Sequence, residues 1–255
     1  MAPSKKRKQS NSSNLPLKDT KDSRVAQINS VERLKKSSFV AGTLSLGYVL
    51  QINDDSVLVS LPGGMTGVIE YFELSDPLQK AGKQAKKQAP LSQLISIHQP
   101  IRCYTLGERE KPFSKKLTLM LSSRASLVNR GVAMKHLMPG NIVYGAIASK
   151  EDHGYVISTG IGGITCFLPQ KFAPKGEIYF VGQPITGIID STNESARTIT
   201  IKIRDSQIAS VLSFGSQLSL NSLVPGMLVS VIVEKILKVV FICVYAIDLM
   251  HRTYS

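Results

Sequence analysis

Two stretches decide the fold. One is Gly42-Thr-Leu-Ser-Leu-Gly47-Tyr-Val49; the other, 98 positions on, is Gly140-Asn-Ile-Val-Tyr-Gly145-Ala-Ile147. Each sets two glycines five apart around an apolar strand. Each then runs through a second strand into a glycine-rich turn, Leu61-Pro-Gly-Gly-Met-Thr-Gly67 in one copy and Thr159-Gly-Ile-Gly-Gly163 in the other. A Gln-Pro-Ile start recurs at Gln99 and Gln183, and each copy closes on an alternating strand, residues 117–121 and 199–203. Pro225-Gly226 repeats Pro139-Gly140 and opens a third copy. Self-similarity at a fixed period marks a repeated structural unit.

Between these landmarks the texture is uniform. Short β-branched runs at 48–52, 57–61, 101–105, 142–147, 155–158 and 185–189 are separated by Gly, Asn, Asp and Pro. Short strands at that spacing predict an all-β sandwich or barrel. No long stretch carries clean helical periodicity; Ser123 to Leu137 has room for a short connecting helix. The expected division is a disordered basic tail over 1–38, a module over 39–125, a linker over 126–137, a second module over 138–206, a linker over 207–222 and an incomplete third module over 223–255.

The chain has 255 residues, 43% hydrophobic and 19% charged, which is enough apolar material for a packed core. Its net charge of +13 points toward nucleic acid, an anionic membrane face or an acidic partner. That charge is localized. Residues 1–40 hold ten basic and three acidic residues, and residues 80–125 hold ten and two. The run Lys5-Lys6-Arg7-Lys8 reads as a solvated tail, a nuclear import signal or a tether to phosphates. Cys103, Cys166 and Cys243 are widely spaced, which argues against a disulfide framework and a zinc site, and for a reduced compartment. No secretory signal is expected, and the most apolar stretch, Val239 to Ile247, is far short of the roughly 20 residues of a membrane span.

The repeat resembles the S1 type of OB-fold. The residues that carry the resemblance are Gly47-Tyr-Val49 with Gly64 and Gly67, and Gly145-Ala-Ile147 with Gly160, Gly163 and Asp190. The implied architecture is tandem five-stranded S1-type OB-fold barrels behind a disordered basic tail. A narrower likeness lies in the Lys-rich tail, in Val57-Leu-Val-Ser-Leu-Pro-Gly-Gly-Met-Thr-Gly67, and in Leu223-Val-Pro-Gly-Met-Leu-Val-Ser-Val-Ile-Val-Glu-Lys-Ile-Leu237. These resemble the start of the large tandem-S1 ribosomal-RNA processing factor of eukaryotes, the programmed cell death protein eleven family. That resemblance implies a nucleolar protein that binds precursor ribosomal RNA during subunit assembly. After Leu237 the text departs from the S1 pattern and stops at Ser255. The expectation is a fragment, a splice form or a truncated gene model.

OB-folds hold single strands with a basic groove and aromatic faces on the middle strands. In S1 modules two aromatics sit on the second strand, a His follows the glycine turn, and an Asp and a basic residue flank the last loop. The first module places Asp55, Leu58 and Glu70 at the ring and His positions, so its stacking platform is absent or moved. Its cations are Lys83, Lys86, Lys87, Lys115, Lys116 and Arg124. The second module places His153 and Val156 on the strand, Cys166 after the turn, and Asp190 and Arg197 at the last pair. Tyr155 and Phe167 lie beside these positions, and strand alternation decides whether each ring faces out or in. The lysines read equally as RNA contacts and as an exposed hydrophilic loop; His153 and Phe167 taken singly favour surface or core filler.

Catalysis finds no support. His98, His136, His153 and His251 lack metal-ligand spacing, and no Gly-x-Ser-x-Gly elbow or Gly-Lys-Ser/Thr phosphate loop occurs. The expected function is a non-enzymatic RNA-binding factor in pre-rRNA processing, needing no cofactor or metal, working in the nucleus and nucleolus with precursor ribosomal RNA and pre-ribosomal assembly proteins, and without a membrane. The alternative is a protein-docking scaffold with little direct RNA binding.

Overall fold

A computed structural model describes residues 35–83, 89–111, 114–174, 176–203, 231–236 and 241–245. The expected tail through residue 34 with Lys5, Lys6, Arg7 and Lys8, the linker 207–222, and Lys86 and Lys87 lie outside the described residues.

Strands β1 (Leu44–Ile52), β2 (Ser56–Leu61), β3 (Met65–Glu70), β4 (Pro100–Lys111) and β5 (Ser114–Ser122) close into a barrel in the order β1-β2-β3-β5-β4. Strands β6 (Ile142–Glu151), β7 (Gly154–Ser158), β8 (Thr165–Pro169), β9 (Pro184–Asn193) and β10 (Thr198–Lys202) close in the same order. One pair in each barrel is parallel, β3 with β5 and β8 with β10. The all-β reading and its two five-stranded barrels therefore hold. A further antiparallel pair, β11 (Val231–Ile236) with β12 (Phe241–Tyr245), lies in the segment read as the third copy.

Period-two alternation fills each barrel. Val57, Val59 and Ile69 of the first, and Ile157, Cys166 and Leu168 of the second, point inward and are nearly inaccessible. The second glycine of each repeated pair sits where strands approach too closely for a side chain. A Cβ on Gly47 would meet Val59 and lie 2.7 Å from the Ser60 carbonyl. On Gly145 it would lie 2.6 Å from Ile157 and 2.9 Å from the Ser158 carbonyl. The second glycine of each pair is thus a packing requirement at one matched point of two barrels, while the first, Gly42 or Gly140, is left-handed at φ 97° or 90°.

Among the described residues between β3 and β4, the helices α1 (Asp76–Ala81) and α2 (Leu91–Leu94) were not expected from periodicity. Both are too short to show it. The available signal for α1 was Ser75 followed by Pro77, a helix-start pattern. The short helix expected within 123–137 is α3 (Ala125–Val128).

α3 forms a joint between the barrels. Ala125 and Val128 bury against Tyr144 of β6, with Tyr104 of β4 beside them. Asn129 donates through Nδ2 to the carbonyls of Tyr144 (2.8 Å) and Thr159 (2.7 Å). The Tyr144 hydroxyl donates to the Ser123 carbonyl at 3.0 Å and also meets the Ser123 hydroxyl. The Asp76 carboxylate accepts from the Ser126 amide (2.9 Å) and hydroxyl (2.5 Å). Ser75 donates to the Gly182 carbonyl at 2.8 Å. Arg102 of β4 lies with its guanidinium 5.1 Å from the Tyr144 ring centroid, and burial lowers its pKa to about 10. The Asn129, Asp76 and Ser75 side chains have their partners met, and satisfied polar groups of this kind hold one arrangement against alternatives, whereas Nη2 of buried Arg102 has no hydrogen-bond partner among the described residues.

Candidate nucleic-acid interface

The face that OB-folds use for single strands is the outer surface of the middle strands. In the second barrel that surface is β7, β8 and β10. Their ladder sets Val156 opposite Phe167, and Phe167 opposite Thr200, in one outward row. Phe167 is half-buried with its ring edge beside Gly154; a Cβ there would lie 3.0 Å from that edge.

Polar groups flank this row. His153 is exposed in the turn between β6 and β7. Arg197 is exposed and left-handed at φ 50°, and donates to the Gly162 carbonyl at 3.0 Å. It thereby crosses the glycine turn and stands over Gly163. Asp190 accepts from Lys202 at 2.9 Å, a half-exposed ion pair at the other end of the face. Lys202 was not among the expected site residues. Its signal was its place in the alternating closing strand, two residues after Thr200.

Tyr155 requires a correction. It pairs with Leu168, one register step from the Val156–Phe167 pair, and so faces inward. It is 2% exposed, its ring edge-on to Tyr179 at 5.4 Å. Tyr155 is a core residue, not an interface residue, because successive side chains on a strand point to opposite faces. Cys166 is likewise inside, and burial pushes its thiol up to about 12.

The first barrel differs on the matching surface. Leu58 pairs with Val68 and Ser56 with Glu70, so aliphatic and acidic groups stand where rings would. A cavity of about 460 Å³ opens there, lined by Val68, Glu70, Phe72, Arg109 and Met120 among others. Arg109 donates to Glu70 at 2.5 Å across it.

The basic segment is only partly in view. Lys83 is exposed just beyond α1, and Lys115 and Lys116 lie on β5 by backbone position. Arg124 is the second correction. Its Nε donates to Glu73 at 3.0 Å, its guanidinium also meets Gln79, and its side chain is 17% exposed. Arg124 is a paired residue beside the joint, and its charge is offset by Glu73. Among the described residues no cluster of metal-ligating side chains occurs, and no helix is long and apolar enough to cross a membrane.

No family model matches the chain. Curated relatives do. The mouse protein named Protein RRP5 homolog is 28% identical over 271 residues, which cover 96% of this chain and 14% of that one. The human protein of the same name is 28% identical over 222 residues, covering 80% and 12%. The Arabidopsis thaliana rRNA biogenesis protein RRP5 is 27% identical over 200 residues, covering 77% and 10%. The chain spans 14% or less of the length of these three relatives. Homologues across eukaryotes thus carry the name of an rRNA biogenesis protein, as the sequence resemblance implied. Among solved structures, a multidomain protein with nucleic acid binding domains from Streptococcus pneumoniae overlaps 66% of this chain and 53% of its own. Its TM-score is 0.33 at 11% identity, too loose a likeness to bear on fold or function.

Proposed function

We propose that this chain is a non-enzymatic RNA-binding factor in ribosomal-RNA processing and ribosome assembly, working in the nucleus and nucleolus. In this reading residues 39–125 and 138–206 are two S1 modules, and 223–255 begin a third. The observation that carries it is the outward row Val156–Phe167–Thr200 on the second barrel, with His153, Arg197 and Lys202 around it. In this reading Phe167 stacks one base and exposed Arg197 meets an adjacent phosphate, with His153 and the Asp190–Lys202 pair at the margins. Lys83, Lys86, Lys87, Lys115 and Lys116 add contacts that position the strand without reading it. The name rRNA biogenesis protein, carried by relatives, supports precursor ribosomal RNA as the class of RNA in this reading.

The test is titration of single-stranded and structured precursor ribosomal RNA at two salt concentrations. Affinity should fall steeply with salt, since each phosphate neutralised on single-stranded RNA contributes roughly −0.7 to the log–log slope. Binding no tighter than that of a neutral control protein removes the reading.

A second reading, a docking scaffold for pre-ribosomal proteins, is favoured by one observation: the matching strand positions of the first barrel carry Leu58, Val68 and the Glu70–Arg109 pair, where the second barrel has Phe167. Pull-down from nuclear extract after RNase treatment separates the two. Partners that survive favour docking; partners that vanish favour RNA.

A further inference from the structure

The two barrels provide an internal comparison of what covers a first strand. Tyr48 of β1 pairs with Ser60 and with Pro100; Ala146 of β6 pairs with Ser158 and with Pro184. Both strands bulge one residue later. Leu46, Tyr48 and Leu50 therefore occupy the positions of Tyr144, Ala146 and Ala148. In β6 the first two of these are covered, with Tyr144 at 4% and Ala146 at 2% exposure, and α3 lies on Tyr144. In β1 the same face is open: Leu46 is 43% exposed, Tyr48 53% and Leu50 42%. Exposed Ile97 and Pro100 extend it.

We propose that this outer face of β1 is a docking surface for one short helix of a partner protein, seated as α3 seats on β6. The inference is independent of the RNA reading, because it rests on register and exposure alone. The occupant's chemistry follows from α3. It is about one helical turn with two small aliphatic side chains three residues apart, as Ala125 and Val128 are. A carboxamide donor follows, as Asn129 does for the carbonyls of Tyr144 and Thr159. The matching carbonyls in the first barrel are those of Leu46 and Leu61.

Two further observations narrow the occupant. The patch continues an existing interface: Leu46 pairs with Arg102, whose guanidinium lies over Tyr144 in the joint. Among the described residues its ladder neighbours bring no exposed cation. Its ladder neighbours are Ser60 and Pro100, and Arg102 is itself 7% exposed. A single tyrosine among aliphatic side chains suits a helix face better than a phosphate backbone. The α1 half of the joint is not copied. Gly182 lies against Leu78, but the matching position in the first barrel is His98; both amides bond the bulged strand, to Ile147 and Val49, at 2.8 Å. The side chain of His98 stands where Leu78 packs, so the partner supplies an α3-like turn alone.

The experiment uses the full chain and a peptide of the sequence Ser122–Gly131, stapled across Ser126 and Arg130 so that it is helical before binding. In an amide NMR titration the expected shifts fall at Leu46, Tyr48, Leu50 and Ile97. Tyr48→Ser and Leu50→Ser, both at exposed positions, should weaken the peptide at least tenfold while the melting temperature and RNA affinity stay unchanged. A peptide carrying Ala at the Asn129 position should also bind more weakly. The proposal is overturned if millimolar peptide moves no β1 resonance or moves β6 alone. It is equally overturned if oligouridylate perturbs the Tyr48 ring, or if ultracentrifugation shows a Tyr48-dependent dimer.

Discussion

Removing the Phe167 ring tests the proposed interface at its centre. Phe167 is the aromatic side chain in the outward row of β7, β8 and β10, so Phe167→Ala should abolish one stacked base. A stacked base contributes about 1–3 kcal/mol, which is roughly a 5- to 150-fold rise in Kd. The ring edge lies beside Gly154, and the expected loss is that of one stacked base. The assay is fluorescence anisotropy with a labelled single strand over a series of salt concentrations. Stacking releases no counterions, so the mutant line should run parallel to wild type on a log–log plot, displaced toward weaker binding. Tyr155→Ala is the matched control. Its ring lies in the core against Tyr179, and its loss should cost about 3–5 kcal/mol of stability, the usual range for a buried aromatic truncated to Ala. If Phe167→Ala binds RNA as tightly as wild type, the interface is elsewhere. If a folded Tyr155→Leu loses binding and Phe167→Ala does not, the inside–outside assignment of β7 and β8 is wrong.

Other outcomes follow from the same geometry. Asn129→Ala orphans two carbonyls in the joint, at about 1–3 kcal/mol each, and should split a shared urea transition into two as the barrels lose their coupling. Neutralising Lys115 and Lys116 together should weaken all RNA sequences alike and reduce the salt slope by roughly 1.4, measured by the same anisotropy series; a sequence-selective loss contradicts a phosphate-only role. In a Cys243→Ser background, Cys103 and Cys166 should react with a thiol reagent only on unfolding, because burial raises both thiols to about 12. Their folded pKa lies above the unfolded value near 9, so the folded state holds protons that the unfolded state releases. The stability they contribute is fully present below about pH 9 and is lost as pH rises toward 12, readable as a falling urea midpoint across that window.

The barrels were legible in the linear text because their determinants are local. Gly47 and Gly145 mark points where neighbouring strands leave no room for a Cβ, and alternating β-branched runs around them fix which residues share a face. The parity of a strand, by contrast, is a relation between distant segments. Tyr155 and Phe167 both read as candidate rings, yet the pairing of β7 with β8 sends one inward and the other outward. Arg124 reads as a free cation until Glu73, 51 residues earlier, is folded against it. The joint was invisible for the same reason. Its partners, Asp76 with Ser126, Asn129 with Thr159 and Arg102 with Tyr144, are 30 to 50 residues apart and carry no spacing rule. Sequence alone therefore determined the repeat, the closed five-stranded units and the placement of charge. Only tertiary structure decided which rings and cations remain at the surface, because exposure depends on what another part of the chain brings to cover them.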